Sequence, residues 1–429
     1  MVPHGCHAVS STDGQRHSHW STSQVNFAPV DSPRRPPPSS PPSCRSRFAF
    51  WRIRIPLVWG LWVLVLAWGE LGAGRFSACN WPDQGNAGYH LAVVADPQLT
   101  DFYSYDMAKG SWILSWTEYF SDVYMRRHFQ LLARKGNVHG VLVLGDLFDG
   151  GRILTLEEHA IHMRRFDWIF GGHHPQIQFW NMSGNHDVGI RRWNNHRANS
   201  LHRDAFGLTQ YSVVLGQVEI VVIDSIGMLS DNPIIRDDAI NFVRSFGMMK
   251  SKRRLPRILF THIPLFRPAH SDCGPRRTKS PIGPGKGVSY LNVLSQELST
   301  MVVDAIEPMH VFSGDDHTPC TYHHAAFNTT EDSLATFSWL QGERHPEVTL
   351  LSLRGGERAD LSYPAMRMTT CSLPDQMGIY FCYAWLGVLS VIYVLLGSVP
   401  PRSQKPRVVA CVLLPIVAWY AVVLALSVW

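Results

Sequence analysis

The sequence predicts one α/β domain that lies between membrane-spanning segments at the two ends of the chain. In the middle of the 429-residue chain, short apolar runs typical of buried strands alternate with amphipathic stretches typical of helices. Several of the apolar runs end in Asp, Asn, Gln or His. Long apolar segments precede and follow this region, and the two near the carboxyl end each have about the 20 residues that a bilayer core requires.

The amino-terminal part of the chain is expected to form a tail and an anchor. Residues 1–52 are rich in Ser, Pro, His and Arg, a composition that cannot bury a core, so we expect a disordered cytosolic tail. The apolar segment 55–74 follows, and its uninterrupted apolar part resembles the core of a signal peptide. Because the leader in front of it is long for a cleaved signal, we interpret this segment as a transmembrane signal anchor.

The carboxyl-terminal part is predicted to contain two transmembrane helices, over 377–397 and 408–429. The short loop between them carries Arg402, Lys405 and Arg407, and the amino-terminal tail is also rich in Arg. Positively charged segments beside membrane spans usually stay in the cytosol. Both clusters therefore predict that the region between the first two spans lies on the lumenal side of the membrane.

The composition excludes some classes of function. The formal net charge is +5, and the surplus of basic residues lies near the chain ends rather than in a stripe within the folded region. Binding to nucleic acid is therefore not expected. The 8 Cys residues are too few for a disulfide scaffold at this length. Cys79, Cys273, Cys320 and Cys371 would be free to pair in an oxidising lumen, but their spacing assigns no pairs.

The central region, 88–355, is predicted to be a single domain without internal repeats. Ser115-Trp116-Thr117-Glu118 matches a capping box, which predicts a helix that runs to about Lys135. Thr155-Leu156-Glu157-Glu158 matches a second capping box, for a helix that ends near Phe170.

Further along, the runs 210–215 and 218–224 predict a β-hairpin, because only two residues separate them. The Pro- and Gly-rich stretch 269–287 is expected to be a long loop, and loops of that length are usually functional or mobile. Closing strands are expected over 336–340 and 348–353.

Five apolar runs in the central region end in side chains that can bind metal ions. The runs lead into 96–98 (DPQ), 145–146 (GD), 184–187 (GNHD), His262 and 314–317 (GDDH). In open α/β sheets, ligands bind at the carboxyl ends of the strands. We therefore expect these side chains to form a metal site at one edge of a sheet.

The chemistry that such a site could perform is hydrolysis of a phosphate ester. This reaction requires a nucleophile made from water and positive charge beside the developing oxyanions, and two metal ions about 3.5–4 Å apart can supply both. One carboxylate must bridge the ions while other ligands flank each of them. The five motifs, in this order, resemble those of the calcineurin-like metallophosphoesterases, whose signature contains an Asp motif, GDxxD, GNHD, a lone His and a GHxH-type motif.

The resemblance implies a role for each residue of the motifs. Two metal ions are expected, and the ligands that we assign are Asp96 and His317 for the first ion, Asp146 as the bridge, and Asn185, His262 and Asp315 for the second ion.

The neighbouring residues are expected to act in catalysis or to support the loops. His186 is not a ligand in this pattern but faces the leaving group, and Asp187 is expected to orient its ring. Asp149 is expected to belong to a structural side-chain network. Gln98 and Asp315 lie where the general family has His, so the site is richer in oxygen donors and should favour Mn²⁺ or Mg²⁺ over Zn²⁺. Gln98 is assigned to the first site, where it ligates weakly or not at all.

Additional motifs narrow the resemblance to the Cdc-one and Ted-one branch of fungal and protist proteins, which is related to the animal GPI-anchor remodelling phosphoesterase. These motifs are DPQL, GDLFDGGR, GNHDVG, HIPLFRP and SGDDHTPC, within roughly residues 90–376. The resemblance implies a β-sandwich flanked by helices. It also implies a membrane-anchored phosphodiesterase in the endoplasmic reticulum or Golgi that uses Mn²⁺. This enzyme would remove ethanolamine phosphate from a mannose of GPI glycolipids or GPI-anchored proteins.

Two other interpretations remain open at this point. The same metal site could act on another phosphomonoester, a nucleotide or a phosphoprotein, and a degenerate site could serve as a membrane scaffold. The bridging Asp146 and the GNHD motif are both intact, which favours an enzyme over a scaffold. The sequence does not identify the mannose or the oligomeric state.

Overall fold

The computed structural model describes residues 44–77, 80–82, 87–134, 137–171, 174–248, 255–288, 290–355, 364–397 and 405–427. Most of the predicted tail, Cys79 and the stretch 398–404 of the predicted cytosolic loop lie outside the described residues.

Two mixed sheets form the centre of the domain. The first consists of β1 (Ala87–Val94), β2 (Gly140–Val143), β3 (Gln178–Asn181), β10 (Glu347–Arg354) and β11 (Met366–Ser372), in the order β11-β10-β1-β2-β3. The second consists of β4 (Tyr211–Leu215), β5 (Val218–Val222), β6 (Arg257–Thr261), β7 (His310–Ser313), β8 (Cys320–His324) and β9 (Thr329–Ser333), in the order β4-β5-β6-β7-β9-β8. Strands β1 to β3 are parallel to one another, and so are β5, β6, β7 and β9.

The helices lie between and beside these strands. They are α1 (Cys44–Ala67), α2 (Ala73–Ser77), α3 (Trp112–Arg134), α4 (Leu156–Phe170), α5 (Asn185–Val188), α6 (His196–Phe206), α7 (Ser225–Met228), α8 (Pro233–Met248), α9 (Gln296–Ile306), α10 (Gln376–Gly397) and α11 (Lys405–Ser427). A π-helical turn, Trp68–Gly72, joins α1 to α2, and short 3₁₀ turns occupy Gly151–Ile153 and Arg191–Trp193.

The sheets pack face to face, and helices cover their outer faces. Residues such as Leu91 of β1 and Phe260 of β6 share the core between the sheets. On the outer face of the first sheet, Phe129 of α3 and Phe170 of α4 pack on the strands. Helices α8 and α9 cover the second sheet in the same way. Because helices and the facing sheet cover both sides of strands such as β2 (GVLV) and β5 (VEIVV), these strands are apolar at nearly every position, which explains the continuous apolar runs in the sequence. The predicted fold class is confirmed.

Three helices are long and apolar enough to cross a membrane. Their candidate spans are Arg54–Arg75, Gln376–Val394 and Val409–Ser427. They pack together through an apolar cluster that includes Trp62 of α1 and Ile416 of α11. The indole N–H of Trp62 also donates to Ser390 Oγ of α10, at 3.0 Å.

Several predicted elements are confirmed. Thr155 and Glu158 form the predicted capping box at the start of α4, which ends at Phe170. Strands β4 and β5 form the predicted hairpin, and β10 contains the predicted strand 348–353.

Two predictions about local structure are wrong. The capping box at Ser115 does not form, because α3 begins at Trp112 and Ser111 Oγ accepts from the amide N–H of Leu114. Ser115 therefore lies within the helix and donates to the Ser111 carbonyl. The stretch 336–340 is not a strand, since only Thr336 pairs there, as a single bridge to Ala95.

Candidate metal centre

Each predicted ligand follows a strand whose carboxyl end faces the same cleft. Asp96 and Gln98 come after β1, Asp146 after β2, Asn185 after β3, His262 after β6, and Asp315 and His317 after β7. Five of these residues have a positive φ, which few non-glycine residues adopt: Asp96, Gln98, Asp146, Asp315 and His317. Such conformations cost on the order of 1–3 kcal/mol each and occur at sites where the surrounding structure imposes them.

A first cluster of potential ligands surrounds the carboxylate of Asp146. Ligand atoms of Asp96, Asp146 and His317 all lie within 4.8 Å of one another. Gln98 Nε2 donates to Asp146 Oδ2 at 2.8 Å, while Gln98 Oε1 is buried without a hydrogen-bond partner. A buried oxygen without a hydrogen-bond partner is unfavourable, and a cation bound to Gln98 Oε1 would satisfy it.

A second cluster of potential ligands lies near the other oxygen of the Asp146 carboxylate, Oδ1. His262 Nε2 lies 3.0 Å from Asn185 Oδ1, 3.5 Å from Asp146 Oδ1 and 3.5 Å from Asp315 Oδ1. His262 Nδ1 lies 2.7 Å from the Leu144 carbonyl oxygen. A proton on Nδ1 therefore donates to that carbonyl and leaves the Nε2 lone pair for a metal ion. The two clusters share Asp146.

The electrostatics of the cleft also fit divalent cations. Burial raises the pKa of Asp96 well above its usual value, and the nearby carboxylates of Asp146 and Asp315 raise it further. Burial alone would lower the pKa of His262, but Asp146, Asp315 and Asp96 together raise it well above its usual value. Carboxylates this crowded and buried require positive charge nearby, and the oxygen-rich donor set suits hard divalent ions.

His186 lies at the mouth of the cleft with a side chain that is 27% exposed. Its backbone N–H donates to Asp146 Oδ1 at 2.8 Å, and its Nδ1 lies 2.8 Å from Asp149 Oδ1. Burial opposes the charged form of the ring, but Asp146 and Asp149 raise the pKa of His186 to about 9. Both carboxylates favour the protonated form of the ring, which is the form that a general acid requires.

The expected partner of His186 is corrected by this geometry. Asp187 was expected to orient the ring, but its two carboxylate oxygens accept the backbone N–H groups of Phe148 and Gly184, at 3.0 and 2.9 Å. Asp187 thereby joins the turn after β3 to the turn after β2. Asp149, which was expected to serve only a structural network, is the residue that contacts the ring.

Two glycines allow these turns to approach one another. A Cβ at Gly184 would lie 2.0 Å from Asp146 Oδ1 and 2.3 Å from the Asp146 backbone nitrogen. Gly145 has φ +85°, and a Cβ there would lie 2.7 Å from His262 Nδ1. Gly184 is therefore required by its contact with Asp146, and Gly145 both by its contact with His262 and by its positive φ.

The predicted long loop lies beside the last ligand motif. Cys273 of the loop forms a disulfide with Cys320. Arg277 of the loop lies with its Nη1 2.5 Å from Oδ2 of Asp316, the residue between the predicted ligands Asp315 and His317 in the sequence. Arg277 was not found from the sequence, because a pairing across 39 residues leaves no local signal. Cys371 is also disulfide-bonded.

One protein family and several known proteins are similar to this chain. A model of the calcineurin-like phosphoesterase family matches residues 89–319. Cell division control protein 1 from Saccharomyces cerevisiae is 29% identical over 386 residues, which cover 84% of this chain and 77% of the yeast protein. Metallophosphoesterase 1 from Ailuropoda melanoleuca is 25% identical over 348 residues, which cover 75% of this chain and 83% of that protein. Among solved structures, purple acid phosphatase PPD1 from yellow lupin (Lupinus luteus) has a TM-score of 0.39 at 12% identity, covering 69% of this chain and 56% of that chain.

Gly184→Ala should remove metal from the purified protein and lower turnover by about 10²-fold or more, since displacements near 1 Å can cost that much. Gly247→Ala is the matched control, because its Cβ would meet Ala305 at an ordinary 3.8 Å. Metal analysis and turnover of a phosphodiester would be measured on both variants. Normal metal content and turnover in Gly184→Ala would contradict the close approach to Asp146.

Proposed function

Because the chain belongs to the calcineurin-like phosphoesterase family and is a metal-dependent phosphoric ester hydrolase, we propose that it removes ethanolamine phosphate from a mannose of GPI anchors. The reaction type is supported by the position of Asp146, which belongs to both ligand clusters and has His186 beside it. The choice of substrate is supported by the branch-specific motifs and by the candidate membrane spans on both sides of the domain.

The proposed cofactors are two Mn²⁺ ions. Asp96, His317 and the free Oε1 of Gln98 would hold the first ion, and Asn185, His262 and Asp315 the second, with Asp146 common to both. Oxygen donors outnumber imidazoles in this set, which favours Mn²⁺ over Zn²⁺. When bound, the ions supply a nucleophile from water and neutralise charge on the phosphate oxygens.

The residues of the chain orient the substrate's leaving group and provide its proton. Asp149 bonds to His186 Nδ1, so the ring can present Nε2 to the cleft with its proton. When the bond between phosphorus and the mannose oxygen breaks, the Nε2 proton passes to that oxygen, which would otherwise leave as an unstable alkoxide. Asp187 keeps the turn after β3 in register with the turn after β2 through its two backbone contacts.

We place the catalytic domain on the lumenal side of the endoplasmic reticulum or Golgi membrane. The Arg-rich tail and the basic loop between the last two spans support this orientation. The Cys273–Cys320 disulfide supports it independently, because disulfides persist in oxidising compartments.

The substrate can be tested in cells that lack the protein. We expect their GPI glycans to retain an additional ethanolamine phosphate, measured by mass spectrometry. The wild-type chain and the surface control Asp237→Asn should remove it, and Asp146→Asn should not, because an amide cannot neutralise two cations as a carboxylate does. Unchanged glycans in the deficient cells, despite metal-dependent phosphodiesterase activity of the purified protein, would reject the GPI substrate in favour of another phosphoester.

The role of His186 can be tested by changing the leaving group. His186→Asn should slow hydrolysis of the natural diester by about 10²–10⁴-fold, and that of a nitrophenyl diester much less, because nitrophenolate leaves without a proton. Asp315→Asn, which alters a proposed ligand, should slow both reactions. Equal losses on the two substrates in His186→Asn with full metal content would show that the proton comes from elsewhere.

The topology can be tested at the acceptor sequence Asn328-Thr329-Thr330, where Asn328 is exposed at the turn between β8 and β9. In the lumen this site should be glycosylated, so that a glycosidase shifts the mobility of the wild-type chain but not of Asn328→Gln. An acceptor engineered into an extended loop at 398–407 should stay unmodified. Modification of that loop, without modification at Asn328, would place the domain in the cytosol.

A further inference from the structure

The first two turns of α3 expose a large aromatic surface. The exposed fraction is 69% for Trp112, 49% for Ile113, 62% for Trp116 and 49% for Tyr119. The spacing of these aromatic residues, at 112, 116 and 119, places them along one side of the helix. The ring centroids of Trp112 and Trp116 lie 6.1 Å apart. Contiguous apolar patches of this kind on a protein surface usually mark a contact with a protein or a membrane.

The second half of the same helix is firmly held by the domain. Tyr124, Met125 and Phe129 are each no more than 1% exposed and belong to the core on the outer face of the first sheet. The exposed half is therefore a rigid extension of a core helix, and its aromatic side chains have a fixed position relative to the strands that carry the metal ligands.

The aromatic surface is continuous with the candidate membrane spans. Phe120, which follows the exposed residues, contacts Tyr380 of α10 at 6.1 Å and Tyr420 of α11 at 6.5 Å between ring centroids. Trp339 contacts Tyr380 from the domain side at 5.8 Å. Trp and Tyr concentrate where membrane-spanning segments meet water.

A buried ion pair attaches α3 to the first span. Glu70, in the π-helical turn, accepts from Arg127 of α3 and from the hydroxyl of Tyr383 at 3.0 Å. Glu70 is 1% exposed and Arg127 is 4% exposed. Helix α3 therefore contacts the π-helical turn of the first span, α10 and α11, at the ends of the spans that adjoin the domain.

We infer that the first two turns of α3 lie in the membrane–water interface, with Trp112, Ile113, Trp116 and Tyr119 in contact with bilayer lipid. The partner of this surface is the lipid bilayer rather than a second protein, because the surface adjoins three candidate spans and has the aromatic composition of an interfacial belt.

The same helix is joined to the cleft by the segment that leads into it. Asp101 accepts the backbone N–H of Gly150, next to Asp149, and the backbone N–H of Tyr103, both at 2.8 Å. Arg152 Nη2 donates to the hydroxyl of Tyr103 at 2.8 Å. Interfacial α3 would thus hold the metal cleft near the bilayer surface, where it can reach phosphodiesters carried by membrane lipids. This consequence rests on the proposed function.

The contact can be tested by photocrosslinking on the full chain in nanodiscs of phosphatidylcholine and phosphatidylserine. p-Benzoylphenylalanine would replace Trp116, or Ile234 as a matched control. Ile234 is 81% exposed on α8, which covers the opposite face of the sandwich. We expect lipid adducts by mass spectrometry at position 116 and none at 234. Adducts to a second protein chain at 116, or no more lipid adduct there than at 234, would overturn the inference.

An activity measurement separates this inference from the proposed function. The double variant Trp112→Ser/Trp116→Ser should lose about tenfold in turnover of a vesicle-borne diester, because small misplacements of reacting groups are costly. Its turnover of a soluble nitrophenyl diester should match that of Ile234→Ser. If the double variant turned over the vesicle-borne diester as fast as Ile234→Ser does, the positioning role of α3 would be overturned. Lipid adducts at 116 with no turnover of any lipid-borne diester would instead reject the proposed substrate and leave the membrane contact intact.

Discussion

The buried carboxylate of Asp146 sets the requirements that the rest of the cleft meets. It is 0% exposed, and an unpaired charge at such depth costs several kcal/mol. The backbone N–H of His186, the amide of Gln98 and the nearby imidazole of His262 all face it. The absence of a side chain at Gly184 brings the turn after β3 close enough to make these contacts. The positive φ values at the neighbouring ligands are a further cost of assembling this arrangement.

Much of this arrangement could be predicted from the sequence because it follows from local patterns. Strands that are buried on both faces leave continuous apolar runs, and the ligand side chains come at the end of such runs. Parallel strands then bring those ends together. The capping box at Thr155 and the two-residue turn of the β4–β5 hairpin are also local, so they were recognised.

The features that were missed depend on contacts between distant parts of the chain. Strand β9 has the polar sequence TTEDS, yet Glu331 within it is fully buried. Glu331 is stabilised there by Arg267 at 2.9 Å and His324 at 2.8 Å, and burial of such a strand has no signature in its own sequence. The choice between Asp149 and Asp187 as the partner of His186 likewise depends on how two turns pack together. Both residues occupy motif positions, so spacing alone could not distinguish them.

In the proposed site, the Asp146 carboxylate would lie between two metal ions. Anomalous X-ray diffraction from crystals of the Mn²⁺-loaded protein would test that claim. We predict two anomalous peaks about 3.5–4 Å apart, one beside Asp96 and His317 and the other beside Asn185 and His262, with the Asp146 carboxylate between them. A single peak, or two peaks on the same side of Asp146, would contradict the shared-carboxylate site.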